Sequence, residues 1–202
     1  MKKKIEGKVK AAHLWRYITI AVALLLIAVF VLAKPINSIA KAKIAGTCAG
    51  VVAFAEVVCL IVYFGFRRNI LTSLKLLQDK NITVDEIAQD LDDAKIIGKV
   101  RKLRCGEKFF VIPSPFCVFA YKDILWIYCK KTTTTNTGTG ATTTNKTVIF
   151  CTAQGKKFAT HISWKAAKSF LEENGDKFSP DLIVGYKMKY NKQYKELVKK
   201  YK

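Results

Sequence analysis

The stretch KFFVIPSPFCVFAYKDILWIYCK, residues 108–130, decides the class of fold. Its apolar residues fall in short aromatic and β-branched runs, Lys108 to Pro113, Phe116 to Tyr121 and Ile124 to Lys130. Pro113-Ser114-Pro115 and Tyr121-Lys122-Asp123 separate them. Runs of this length between turn-forming residues read as strands, because a buried helix needs a longer periodic segment and two nearby prolines would break it. Working outward, Ile96 to Leu103, Lys146 to Thr152 and Lys156 to Ile162 have the same character, with Cys105-Gly106 and Gln154-Gly155 as further turns. Six consecutive strands with tight connections predict an antiparallel barrel or sandwich.

One connection differs. TTTTNTGTGATTTN, residues 132–145, is low in complexity and almost without apolar residues, so it is expected to be a mobile hairpin loop. Its Gly138-Thr139-Gly140 has no helix start behind it, which argues against a phosphate-binding loop.

Helical patterns flank the strands. Ile70, Leu71, Leu74 and Leu77 recur at helical spacing between Arg67 and Lys80. Thr83 to Glu86 then forms a capping box before the apolar stripe Val84, Ile87, Ala88 and Leu91, backed by Asp85, Glu86, Asp90, Asp92 and Asp93. After the strands, Ser163 can cap a helix whose Trp164, Ala167, Phe170 and Leu171 face inward, ending at Asn174-Gly175. A short strand from Asp181 to Tyr186 precedes a terminal helix with the stripe Tyr190, Tyr194, Leu197 and Tyr201. Residues 187–202 hold seven lysines and one glutamate. Their basic face suits anionic lipid, open solvent or the acidic helix around Asp90.

The N-terminal third has another composition. LWRYITIAVALLLIAVFVLA, residues 14–33, and the apolar run 44–66 are each long enough to suggest a membrane-spanning helix. Trp15, Tyr17 and Arg16 sit at the edge of the first, and Tyr63, Phe66, Arg67 and Arg68 close the second. The short link Lys34 to Lys43 makes them a hairpin with both ends on the more basic, cytoplasmic side. Ser38-Ile39-Ala40 has the spacing of a signal-peptide cleavage site, but the preceding apolar run is longer than the roughly 7–15 residues of such a core.

Three features of this region are candidate sites. Glu56 lies near the middle of the second apolar run, where an ionised carboxylate must be protonated, paired or turned to protein, with Thr19 or a second copy as the partner. Gly46, Gly50 and Ala53 form a small-residue helix-packing face. Arg67 and Arg68, with Lys189, Lys192, Lys195, Lys199 and Lys200, are the basic residues expected to face lipid.

The formal net charge is +20, and both parts share it: residues 1–80 carry 13 Lys/Arg against 3 Asp/Glu, and residues 81–202 carry 22 against 12. The excess selects anionic partners, with lipid the first met at a membrane surface. No aromatic-basic strand signature or recognition-helix pattern indicates nucleic acid. Cys48, Cys59, Cys105, Cys117, Cys129 and Cys151 contain no CxxC pair, so they read as small buried hydrophobes and not as metal or redox groups. His13 and His161 lack an evident nucleophile or orienting partner, so no catalytic, cofactor or metal residue is expected.

The two-helix hairpin followed by Phe109-Phe110-Val111-Ile112-Pro113 and Tyr121-Lys122-Asp123-Ile124-Leu125-Trp126-Ile127-Tyr128 resembles bacterial membrane-anchored proteins with a pleckstrin-homology-like (PH-like) domain, including the YcxB-like group. The resemblance implies a PH-like fold and carries over no catalytic residue. The expected architecture is therefore an α+β membrane protein. It comprises a basic N-terminus 1–13, a transmembrane hairpin 14–66 (14–33 and 44–66), juxtamembrane helices 67–95, and a mostly antiparallel PH-like β domain 96–202 with helices 163–174 and 187–201. The expected function is non-enzymatic binding of anionic lipid or a protein partner at the cytoplasmic face, with self-association. The other reading is an oligomeric channel or transport subunit that uses Glu56.

Overall fold

The computed structural model describes residues 1–33, 39–62, 68–97 and 103–201. Helix α1 (Lys2–Ala33) is followed by α2 (Ile39–Val62), α3 (Arg68–Gln78) and α4 (Val84–Asp90). Strands β1 (Lys95–Ile97), β2 (Leu103–Cys105), β3 (Phe109–Pro113) and β4 (Phe116–Ala120) form one antiparallel sheet in that order. The second sheet has the order β7-β6-β5-β8, made of β5 (Ile124–Thr135), β6 (Thr142–Thr152), β7 (Lys157–Thr160) and β8 (Ile183–Val184). Helix α5 (Trp164–Asn174) lies between β7 and β8 in the chain, and α6 (Met188–Tyr201) follows.

Alternation along the strands explains the layers, since successive side chains point to opposite faces. In β3, Phe110 and Ile112 enter a cluster with Phe119, Ile127, Phe150, Phe158 and Phe170, which joins the two sheets and α5. Phe109 and Val111, one residue out of step, pack instead with Ile70, Leu74, Leu77, Ile87 and Leu91 of α3 and α4. Both faces of β3 are therefore covered, and four of its five residues are buried. The outer face of the second sheet gathers Leu125, Trp126, Tyr128 and Cys151 against Tyr194 of α6.

Phe110 is the centre of the first cluster. Its ring centroid lies 4.9 Å from Phe170, 5.0 Å from Tyr121 and 5.4 Å from Phe119, all in tilted geometry. Tilted aromatic pairs of this kind add to plain area burial.

The predicted caps form. Thr83 Oγ1 accepts the Glu86 amide at 3.2 Å, and Ser163 Oγ accepts the Ala166 amide at 3.1 Å. Two expected elements change. The run Ile96 to Leu103 is not one strand: β1 and β2 pair antiparallel, with Ile97 opposite Leu103. The Thr-rich stretch is not a loop either, because β5 and β6 continue through it in unbroken register to Thr135 opposite Thr142. Threonine suits a pleated strand through its β-branch, and cross-strand pairs such as Thr135 and Thr142, with hydroxyls 3.3 Å apart, supply contacts that do not need a core.

The expected transmembrane architecture is corrected. Among the described residues no helix is long and apolar enough to cross a membrane. The first helix does not begin at residue 14 but at Lys2, and its first turns belong to the globular domain. There Ile5 and Ala12 are buried with Ile70, Leu74, Ile87 and Phe116. Residues 1–13 are thus a docked helical segment, held also by Lys2 to Asp85 at 2.6 Å and by the Met1 amino group to Asp92 at 2.7 Å. Helix α2 runs 39–62 where 44–66 was expected, and includes Lys41 and Lys43. The fold is α+β, its sheets antiparallel except that β8 runs parallel to β5, and α1 packs against α2.

Candidate functional site

The most distinctive exposed chemistry lies where β8 passes into α6. Gly185 adopts φ +90°, a conformation that L side chains rarely take. Its amide donates to the Ile127 carbonyl at 2.8 Å, and its own carbonyl accepts Trp126 Nε1 at 2.8 Å. The chain is thereby pinned to the end of β5. Tyr186 is laid over Trp126 and Tyr128, with centroids 6.1 and 5.3 Å away. Tyr186 nevertheless remains 63% exposed and the next apolar residue, Met188, 89% exposed.

The inward face of α6 fixes its outward face. Tyr194 is buried and gives its hydroxyl proton to the Thr152 carbonyl at 2.8 Å, while Tyr190, Leu197 and Val198 pack around it. Burial raises the Tyr194 phenol above its ordinary range and keeps it neutral. Tyr201 donates to Asp181 Oδ2 at 2.9 Å, and Lys200 reaches the same carboxylate at 3.0 Å. At about 100° per residue, Lys189, Lys192 and Lys199 then lie about 140–160° around the helix from Tyr194, with Lys195 on its flank. All four are exposed, and Glu196 is the one acid on this face. The acidic helix α4 is not their partner. Asp85 and Asp92 hold α1, and Asp90 accepts the amides of Glu107, Lys108 and Phe109 at 3.0–3.2 Å.

The other expected residues are scattered. Arg67 lies outside the described residues, and Arg68 is exposed at the start of α3. Gly46 and Gly50 are exposed, with nothing within 4 Å of a Cβ added to either, and Ala53 is half-buried. Glu56 is half-buried in α2, and its Oε2 has no hydrogen-bond partner among the described residues; Thr19 donates instead to the Trp15 carbonyl at 2.9 Å. The structure therefore does not bring Glu56 and the α6 lysines into one site.

Two concavities among the described residues stand apart from this patch. A cleft of about 590 Å³ is lined by Lys80, Lys108, Lys122 and Lys177 and by an equal number of acids. Three of its lysines are matched: Lys80 to the buried Asp123, Lys108 to Glu86 at 3.7 Å and Lys177 to Glu107 at 3.6 Å. An apolar groove of about 370 Å³ runs between α1 and α3, lined by Ile5, Val9, His13, Leu71 and Leu74. Among the described residues no group of three or more His, Cys, Asp or Glu could hold a metal. Desolvation pushes the Cys105 thiol up to about 11 and Cys151 up to about 12, and raises Cys117 as well, so these are protonated packing groups.

The patch formed by Tyr186 and Met188 was missed in the sequence, where they read as the end of a strand and the start of a basic helix. The available signal was Gly185 itself, a residue that breaks a strand and permits a turn with positive φ. Together these features define a two-sheet α+β domain that presents a lysine-rich helix beside exposed aromatic and thioether groups. Residues 66–194 match the family described as a domain of unknown function (DUF6709), and the chain belongs to it. The match runs from two residues before α3 to the buried Tyr194 of α6. No curated protein and no solved structure matches the chain.

Proposed function

We propose that this chain is a non-enzymatic binding module that works on an anionic lipid surface, the face of a cytoplasmic leaflet being the natural one. The observation that supports it is the outer face of α6. Lys189, Lys192, Lys195 and Lys199 are exposed there without an acidic partner bonded to any of them among the described residues, beside the exposed Tyr186 and Met188. A lysine near such a surface contributes about 1 kcal/mol, so four supply about 4 kcal/mol, close to a thousandfold in affinity before Glu196 is subtracted. Tyr186 and Met188 add the apolar insertion that amphipathic interfacial helices use. Apolar side chains exposed on α1 and α2, among them Leu24, Ile27, Val51 and Phe54, are a second area suited to lipid contact.

Co-sedimentation of the full chain with phosphatidylserine-containing and with purely phosphatidylcholine vesicles tests this. Binding is expected to favour the anionic vesicles, to weaken with salt, and to fall at least tenfold when Lys192, Lys195 and Lys199 are all replaced by Gln. Equal binding to both vesicle types, or no change in the triple variant, would sink the reading. A protein recovered in place of lipid would redirect it to an acidic protein partner.

A further inference from the structure

The outer half of the β5–β6 hairpin is a two-stranded ribbon with open edges. On the β6 side, β7 pairs only with Val148 to Cys151, and on the β5 side, β8 pairs only with Trp126 and Ile127. Thr142 to Thr147 of β6 therefore presents backbone donors and acceptors to no third strand among the described residues. Residues 130–146 are all exposed. The tip is nonetheless well formed: Asn136 donates to Ala141 at 2.9 Å and Gly140 to Asn136 at 2.8 Å.

Exposed edges are ordinarily blunted by charge, proline or a bulge. This one has none of these along Thr142 to Asn145. There is no proline, the register irregularity of the pair lies far away at Ile124–Trp126, and the 14 residues from Thr132 to Asn145 carry no charge. A two-stranded ribbon is marginal alone and gains from a third strand. In a chain of net charge +20, an uncharged edge is also a place where two copies can approach without like charges meeting.

We infer that the β6 edge is a self-pairing surface, and that two copies join antiparallel through Thr142 to Lys146 about a two-fold axis at Thr144, which sets residues of the same face opposite one another. A two-fold contact is self-complementary and closed, giving dimers and not fibres. In this register Lys146 faces Thr142 of the second copy, so the one lysine of the edge meets a hydroxyl and not another lysine. The result is a four-stranded ribbon, β5 and β6 of one copy continued by β6 and β5 of the other. The inference is independent of the lipid reading.

Sedimentation equilibrium of the full chain, in a mild detergent that covers the apolar side chains of α1 and α2, tests it. The parent chain should dimerise. Thr142→Lys sets lysine opposite lysine and should weaken the dimer at least tenfold, whereas Thr142→Glu sets a carboxylate opposite Lys146 and should tighten it. Thr133→Lys, on the β5 strand away from the axis, should change the constant much less. A parent chain that stays monomeric, equal effects of Thr142→Lys and Thr142→Glu, or equal weakening by Thr133→Lys would overturn the proposal. Association through α1 and α2 alone would leave all three variants like the parent, and that result would overturn it too.

Discussion

Replacing Asp90 by Ala should loosen the junction between α4 and the β2–β3 turn, and its cost can be worked from the contacts. The carboxylate accepts the Glu107 and Lys108 amides at 3.1 Å through Oδ1, and the Lys108 and Phe109 amides at 3.2 and 3.0 Å through Oδ2. Bonds to a charged acceptor contribute about 1.5–3 kcal/mol each, but the Glu107 and Lys108 amides lie at an exposed site where water replaces the lost oxygen. The Phe109 amide is partly buried, and leaving it unpaired costs about 1–3 kcal/mol. The expected total is about 2–4 kcal/mol, a large fraction of the roughly 5–15 kcal/mol that holds a domain together.

Urea unfolding followed by tryptophan fluorescence reads this as a lower midpoint at unchanged slope. Gly106→Ala probes the same contact from the other side. A Cβ there would lie 2.1 Å from Asp90 Oδ2 and 2.5 Å from the Asp90 carbonyl oxygen. The side-chain oxygen can rotate away but the carbonyl cannot, so the alanine should destabilise even in an Asp90→Ala background, though by less than in the parent. An Asp90→Ala variant within about 0.5 kcal/mol of the parent, the range of an ordinary surface substitution, would refute the reasoning.

Phe110→Ala should cost about 3–5 kcal/mol, since the ring is fully buried and central to both sheets; calorimetry would show the lowered melting temperature. Trp126→Phe keeps most of the packing but loses the bond to the Gly185 carbonyl, about 1 kcal/mol, and should weaken the hold on the β8–α6 turn, seen as faster amide exchange at Gly185. The Cys105 and Cys151 thiols bind their protons more tightly folded, at about 11 and about 12, than unfolded, at the ordinary value of 9.0. Their contribution to stability is therefore complete below pH 9 and declines as pH rises towards 11, at about 1.4 kcal/mol per pH unit for each titrating thiol, measurable by urea midpoints at pH 8 and pH 10. In the native state iodoacetamide should modify the half-buried Cys129 ahead of the buried Cys105, Cys117 and Cys151, as peptide mapping would show.

Local patterns in the chain were enough to place most elements, because the interactions that make them are local. The caps at Thr83 and Ser163 act over three residues, the stripe Ile70, Leu74 and Leu77 over two turns, and the runs around Phe110, Phe119 and Ile127 within single strands. The basic face of α6 was equally legible, since Tyr194 and the spacing of its lysines set it without reference to another element. The Thr-rich ribbon was misread for the complementary reason. Its composition resembles a disordered segment, and only the in-register partner strand reveals that β-branching outweighs the lack of apolar content.

What tertiary structure alone decided lies in contacts between distant residues. Residues 14–33 read as an independent apolar helix until Ile5 and Ala12 are seen buried against α3 and α4, which makes the basic N-terminus part of the domain. Asp90 read as one acid on a solvated face, and becomes the acceptor that shapes a turn 17–19 residues away. Tyr186 and Met188 became a surface only once Trp126 had pinned the Gly185 turn from across the sheet. Sequence periodicity records which face of an element is apolar, but which distant face meets it is settled by the joint packing of all the elements.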